Sequence, residues 1–303
     1  MASKHLKIIE KLGPNRVKQN EPLAKETTFR IGGPADLFYE AKTSDELIAA
    51  VKAARQLEVP FFILAGGSKL LVSNEGFRGL VIKIFSSSFS ILNSRIRAGA
   101  GVPLKQLVVA AADAGLAGLE FAAGIPGTIG GAVVGNAGAW QKNIGSRLKS
   151  VYVLQPNNQL VWLNQKDCHF AYRQSRFKTS GEVIIKVELK LRKGNREIIK
   201  KRIIKNLIRR QKQPQEPSAG CIFINPKSKS AGELIEESSL KGKRIGNAQI
   251  SSQHANFIVN LGQAKANEVL QLIKLAQSVV KKKFGVKLEK EIRLLGFDKI
   301  ERL

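Results

Sequence analysis

Cysteine and histidine are scarce in this 303-residue chain, and acidic residues are outnumbered two to one by basic ones. Two cysteines, Cys168 and Cys221, are too few for a disulfide framework or a paired zinc site, and three scattered histidines make no metal cluster, so no metal is expected. Long apolar runs are missing as well. Nothing approaches the roughly 18 residues of a membrane-spanning helix, and the first twenty residues hold no run of signal-peptide length. A cytoplasmic protein with no membrane partner is the expectation. Two common phosphate-binding signatures are also absent: no strand–GxGxxG–helix with a distal acid, and no GxxxxGK[ST] loop. Neither an internal repeat nor a low-complexity tract is visible.

What is present is a globular composition, 43% hydrophobic and 24% charged residues, in a chain long enough for two or three domains. Fifty Lys and Arg against twenty-four Asp and Glu leave a net charge of +26. A charge of that size raises the question of nucleic acid. The basic residues are spread along the whole chain, however, and anionic small molecules such as nucleotides or a nucleotide-sugar suit a positive field equally. No nucleic-acid partner is expected, and a basic nucleic-acid module remains the binding-protein alternative.

Residues 22–85 read as alternating strand and helix. Thr43-Ser44-Asp45-Glu46 has the form of a capping box, with Leu47, Ile48, Val51 and Ala54 following at helical spacing. Pro60 is expected to stop that helix, 61–64 to form a buried strand, and 80–84 to return as another. In 86–194, a short strand at 95–98 precedes a helix with Pro103 at its first position, Leu104, Leu107, Val108 and Ala111 on one face, and Gly115 as its stop. Pro156-Asn157-Asn158 signals a hairpin between 151–154 and 160–163, and 182–191 alternates like a half-buried strand. Beyond 195, Ile198, Ile199, Ile203, Ile204, Leu207 and Ile208 make an apolar stripe opposite a solvated basic face of Lys200, Lys201, Arg202, Lys205 and Arg209. A later helix carries Val269, Ile273, Ala276, Val280 and Phe284, and ends at Lys281-Lys282-Lys283 before Gly285.

Glycines cluster at three places: Gly32-Gly33, Gly66-Gly67-Ser68, and Gly124, Gly127, Gly130 and Gly131 running on to Asn136-Ala137-Gly138. A phosphate meets backbone N–H groups directly only where no side chain intervenes. One such segment is explained by a tight turn; three within 110 residues suggest an extended ligand. Together with other blocks these segments carry a resemblance. TTFRIGGPADLF (27–38), LAGGSKLLVS (64–73), GLEFAAGIPGTIGGAVVGNAGAW (118–140), AYRQSRFK (171–178), PSAGCIFINP (217–226), AGELIEESSLKGKRIGNAQISSQHANFIVN (231–260) and LEKEIRLLG (288–296) occur in this order. Over nearly the whole chain they resemble the UDP-N-acetylenolpyruvoylglucosamine reductase family, in the subgroup whose short spacing between Arg173 and Cys221 leaves no room for an extra tyrosine-bearing loop.

The resemblance implies an α+β fold: a two-part FAD-binding domain of the vanillyl-alcohol-oxidase (PCMH) type and a smaller α+β substrate-binding domain. Its expected layout is an N-terminal extension (1–21), two FAD-binding subdomains (22–85 and 86–194, with 288–303 returning to the second), and the substrate-binding domain (195–287). It implies bound FAD, with NADPH as hydride donor, and the enolpyruvyl ether of UDP-N-acetylglucosamine as substrate, reduced by a monomer to UDP-N-acetylmuramate for peptidoglycan. The flavin pyrophosphate is expected at Gly66, Gly67 and Ser68. The ring is expected along Gly124, Ile125, Pro126, Gly127, Thr128, Gly130 and Gly131, and along Asn136, Ala137, Gly138 and Ala139. Lys69 stands where the family usually has Asn, and is expected either to reach the pyrophosphate or to point to solvent.

Three positions match the family's catalytic ones. Arg173 corresponds to the arginine that grips the substrate carboxylate, a task suited to a planar fork of donors. Glu291 corresponds to the late acidic residue, which would need burial to serve as an acid; Glu289, two residues away, would share its face on a strand. Cys221 stands where a serine proton donor is usual, and a thiol is the stronger acid. Cys168 reads as structural. Tyr172 and Asn225 are expected to touch substrate. Gln249, His254 and Asn256 fall in the substrate-binding region, with His254 either a phosphate contact or a structural histidine. A flavin oxidase acting on another substrate is the rival enzyme.

Overall fold

The structure, a computed structural model, describes residues 2–85 and 88–297. The expected return of 288–303 to a subdomain therefore lies, for 298–303, outside the described residues. The chain divides into two compact units, one of Met1–Lys18, Phe38–Gly66 and Leu80–Arg210, the other of Gln19–Leu37, Gly67–Gly79 and Gln211–Leu303. These units cut the chain differently from the expected domains. Residues 19–37 and 67–79 group with the C-terminal part, and the helix Arg196–Gln211 groups, through Arg210, with the first unit.

The first unit holds a five-stranded antiparallel sheet, in the order Leu160–Asn164, Leu148–Leu154, Val183–Lys190, Arg95–Gly99, Phe89–Leu92. The hairpin at Pro156-Asn157-Asn158 is as expected, with Leu154 opposite Leu160 and Asn158 left-handed at φ +65°. Strand Val183–Lys190 is not half-buried: only Lys186 and Lys190 are exposed, and helices Ser44–Gln56 and Ile129–Val134 pack against it. Strand Phe61–Leu64 pairs in parallel with Phe77–Ile84, Phe61 opposite Leu80, but only Leu64 is buried.

Helix Ser44–Gln56 buries Leu47, Ala50, Val51, Ala53 and Ala54. Half of its expected capping box forms. Thr43 Oγ1 accepts the Glu46 N–H at 3.1 Å, while the Glu46 carboxylate turns to the Lys42 N–H at 2.7 Å and to Arg16 at 3.0 Å. It ends before Pro60, at Leu57, with Glu58 left-handed at φ +51°. Pro103 is the N-cap rather than the first residue of helix Leu104–Asp113, since its ψ of 132° is extended.

Helix Arg196–Gln211 also departs from expectation. Only Ile199 is buried, and Ile198, Ile204, Leu207 and Ile208 are exposed. Adjacent apolar residues lie about 100° apart on a helix, so at most one of each pair can face inward. The helix is held instead by polar contacts: Asn206 donates to the Glu120 carbonyl at 2.8 Å, and Arg210 Nε to the Ala123 carbonyl at 2.8 Å.

In the second unit an antiparallel sheet runs Ser218–Cys221, Phe257–Asn260, Ala248–Ile250, Arg244–Ile245. Helix Ala266–Phe284 lays Val269, Ile273, Ala276 and Val280 into a core with Phe29, Ile31, Leu71, Ile222 and Phe223, and Gly285 caps it at φ +71°. Arg293–Leu295 pairs in parallel with Leu70–Val72. The described part of the C-terminal segment thus pairs with residues just after Gly67-Ser68, within 22–85 and not within the expected 86–194.

Candidate active site

In the first unit the Gly-rich turns meet backbone to backbone. A Cβ on Gly66 would lie 2.5 Å from Gly127 Cα, and one on Gly130 would lie 2.7 Å from the Ala100 methyl. Packing therefore explains those glycines. Gly131 differs: a Cβ there would meet Ala65 Cβ at 3.5 Å and Thr128 Oγ1 at 3.7 Å, ordinary contacts. Protein packing leaves that glycine unaccounted for, which fits a group lying against the backbone there. The side chain of Thr128 is engaged, its Oγ1 accepting the Gly131 N–H at 3.3 Å at the start of helix Ile129–Val134. The main chain at Gly131 is thus open to a bound group, as a cofactor held by main chain would need.

Asn136 is buried and left-handed at φ +43°. Its amide is committed internally: Nδ2 donates to the Ala171 carbonyl at 2.7 Å, and Oδ1 accepts the Gly145 N–H at 3.1 Å. It ties the Gly-rich segment to the turn that carries Arg173. In that turn Ala171 and Gln174 exchange backbone hydrogen bonds of 3.2 and 3.1 Å. Arg173 stands within it at φ +56°, a conformation that costs a non-glycine residue energy and recurs at functional sites. Arg173 Nη1 donates to the Gly138 carbonyl at 3.0 Å, and the guanidinium lies 5.6 Å from the centroid of the exposed Tyr172 ring. Arg210, absent from the sequence expectations, joins this region. Its guanidinium lies 5.0 Å from the Trp140 ring centroid, and its Cδ covers Gly124, where a Cβ would come within 2.6 Å. No motif marks it; its place at the end of a basic helix concealed it.

In the second unit Gly67 is left-handed at φ +59°, packed against the Glu26–Thr27 backbone. Ser68 and then Lys69 follow it. Lys69 Nζ donates to the Cys221 carbonyl at 2.7 Å and lies 2.9 Å from Glu291 Oε1. Glu291 and Cys221 are thereby brought together. The Glu291 N–H donates to the Ile222 carbonyl at 2.7 Å, and Phe223 bridges Lys290. Glu289 is exposed, whereas the Glu291 side chain is 10% exposed, so burial separates the two carboxylates that sequence left tied. The neighbour of Glu291 is a cation, not the apolar wall expected of an isolated acid.

Asn256, 2% exposed, fixes the cysteine-bearing segment. Its Oδ1 accepts the Phe223 N–H and its Nδ2 donates to the Phe223 carbonyl, both at 2.9 Å. Asn225 Oδ1 accepts the Ala231 N–H at 3.0 Å, and Gln249 donates to the Gly242 carbonyl at 3.0 Å. The His254 ring accepts the Asn256 N–H at Nδ1 (3.2 Å) and rests against Phe257; burial holds its pKa below the usual imidazole value. Cys168 is fully buried, its thiol donates to the Asn164 carbonyl at 3.3 Å, and burial pushes its pKa up to about 12. Cys221 is partly exposed.

An α+β chain with a main-chain-lined cradle in one unit and a cysteine–carboxylate–lysine cluster in the other has the parts of a flavin-dependent oxidoreductase. Comparison with known proteins agrees. The family model described as FAD binding domain matches residues 35–164, and that described as UDP-N-acetylenolpyruvoylglucosamine reductase, C-terminal domain, matches 212–295. The UDP-N-acetylenolpyruvoylglucosamine reductase of Caldanaerobacter subterraneus subsp. tengcongensis is 42% identical over 96% of this chain and 97% of its own. That of Lachnoclostridium phytofermentans is 41% identical over 93% of each. The crystal structure of the Thermus caldophilus UDP-N-acetylenolpyruvylglucosamine reductase superposes with a TM-score of 0.80 at 38% identity, covering 92% of this chain and 99% of that one. The chain belongs to the UDP-N-acetylenolpyruvoylglucosamine reductase family. It is accordingly an FAD-dependent reductase of peptidoglycan precursor synthesis. Among the described residues no helix is long and apolar enough to cross a membrane, and no cluster of three or more His, Cys, Asp or Glu is placed to hold a metal ion.

Proposed function

We propose that the enzyme reduces UDP-N-acetyl-3-O-(1-carboxyvinyl)-glucosamine to UDP-N-acetylmuramate at the expense of NADPH, working as a monomer in the cytoplasm. FAD, when bound, would supply the hydride chemistry between NADPH and the terminal vinyl carbon of the substrate. Gly66, Gly67 and Ser68 would hold its pyrophosphate, and 124–131 with 136–139 would hold its ring. Arg173 grips the substrate carboxylate with two parallel hydrogen bonds and stabilises the enolate-like charge that grows as hydride arrives. Cys221 gives its thiol proton to the adjacent carbon. The S–H bond breaks as the new C–H bond forms, and the thiolate recovers its proton from solvent. Glu291 hydrogen-bonds the developing enol, with Lys69 as its counter-charge. Tyr172 and Asn225 contact the sugar nucleotide.

The observation that carries this reading is the meeting of the Cys221 and Glu291 segments around one lysine in the second unit. Its test is a colour cycle under anaerobic conditions. The purified protein is expected to be yellow, to bleach with NADPH, and to regain its colour on addition of the enolpyruvyl UDP-sugar, with UDP-N-acetylmuramate as product. Reduced flavin that responds to oxygen but not to the sugar would point to an oxidase. Colourless protein retained on DNA in a salt-sensitive manner would point to a nucleic-acid module.

A further inference from the structure

Three chain segments of the second unit converge on one ammonium group. Strand Ser218–Cys221 loses register with Phe257–Asn260 between Ser218 and Cys221, and Gly220 makes the turn at φ +68°. Irregularities of this kind re-aim the residue that follows them. The Cys221 carbonyl accepts from Lys69 at 2.7 Å, and the same nitrogen stands 2.9 Å from Glu291 Oε1. A Cβ on Gly220 would lie 3.4 Å from that nitrogen, so the glycine also leaves the lysine its place. The main chain repeats the connection, with the Arg293 N–H donating to the Lys69 carbonyl at 2.9 Å.

Glu291 is the enclosed member of the pair, 10% exposed against 40% for Lys69. An enclosed carboxylate keeps a single orientation only when charged or hydrogen-bonding partners hold it. Here one group serves both the carboxylate and the backbone of the cysteine, so a shift in either is felt by the other.

We propose that Lys69 is a positioning residue for substrate reduction: its ammonium sets the Cys221 main chain and the Glu291 carboxylate in fixed relation. The inference rests on the roles proposed above for Cys221 and Glu291, and gives Lys69 no contact with flavin or substrate. Lys69→Met keeps an unbranched stem and removes the charge and its donors, whereas Lys69→Arg keeps both. Holoenzymes of the parent and both variants are compared in stopped flow. Flavin bleaching by NADPH is expected to stay within about twofold in all three. Reoxidation of the reduced flavin by the enolpyruvyl UDP-sugar is expected to fall at least roughly tenfold in Lys69→Met and less than about threefold in Lys69→Arg. A second readout needs no turnover. Iodoacetamide labelling of Cys221, followed by peptide mass spectrometry, is expected to change at least about threefold in Lys69→Met and to keep the parent rate in Lys69→Arg. Lys69→Gln replaces Lys69→Met should the latter fail to fold. Parent-like reoxidation and labelling in Lys69→Met would overturn the inference, as would a loss shared equally by both half-reactions. A parent enzyme that NADPH bleaches but the sugar does not reoxidise would overturn the proposed reaction itself, and this inference with it.

Discussion

The two thiols of this chain occupy opposite environments. Cys168 is sealed from solvent and its proton is held by burial, whereas Cys221 is partly exposed at an irregular strand end beside Lys69 and Glu291. An alkylating agent is therefore expected to modify Cys221 and spare Cys168 in the folded enzyme, and excess sugar-nucleotide substrate is expected to protect it. Proton donation makes a sharper demand. Cys221→Ser keeps a proton on the side chain and is expected to retain substantial turnover. Cys221→Ala is expected to leave flavin bleaching by NADPH intact while slowing substrate reduction by about 10²–10⁴, the usual range for a positioned acid. Stopped-flow measurement of the two half-reactions checks this, and equal slowing of both would remove the assignment. At the same scale, the Asn136 amide braces the Arg173 turn from inside the protein.

Among the elements, the Gly-rich turns separate two reasons for a glycine. Gly66 touches the Gly127 backbone, so an added methyl has nowhere to go. Gly66→Ala is expected to cost about 1–3 kcal/mol of stability and to lower flavin content together. Gly131 has space within the protein. Gly131→Ala is expected to leave the melting temperature of the flavin-free protein nearly unchanged while reducing flavin retention, read as the ratio of flavin to protein absorbance. Full flavin retention in Gly131→Ala would mean that the cofactor does not approach that position. The helix Arg196–Gln211 makes a related point. Its composition looks like a buried stripe, yet contacts from Asn206 and Arg210 to main-chain carbonyls, rather than isoleucine burial, fix its place.

For the molecule as a whole, basic residues exceed acidic ones by 26, and two partnered carboxylates add stability that acid is expected to remove. Burial alone would raise the Glu188 pKa, but hydrogen bonds and charge from Lys149 and Arg97 more than reverse it; Arg16 lowers that of Glu46. Depressed carboxylates stabilise the fold above their unfolded pKa of about 4.3, and that contribution is lost as pH falls through the lower folded values. His254 acts at milder pH and with the same sign. Its folded-state pKa is depressed by burial, so below about 6.5 the unfolded chain takes up a proton that the folded ring resists, and stability falls. Urea midpoints at pH 7.5 and 5.5 are expected to differ less in His254→Asn than in the parent, by up to about 1.4 kcal/mol in stability. Asn is chosen because its Oδ1 can still accept the Asn256 N–H. An identical pH response in the two proteins would show that the ring titrates as if exposed.

Much of the local structure is legible in the residues alone, because periodicity, caps and turn residues act over a few positions. The helix Ala266–Phe284 with its glycine cap and the hairpin through Asn158 follow from such short-range rules. The family, its cofactor and the candidate residues Arg173, Cys221 and Glu291 are also legible, since separated blocks in a fixed order are carried by sequence. What only the tertiary structure decided is which distant groups meet. Glu291 was separable from Glu289 once burial was known. Lys69 became a bridge only once residues 152 and 222 positions further along the chain were folded against it, since no local rule says where a long flexible cation will find its carboxylate.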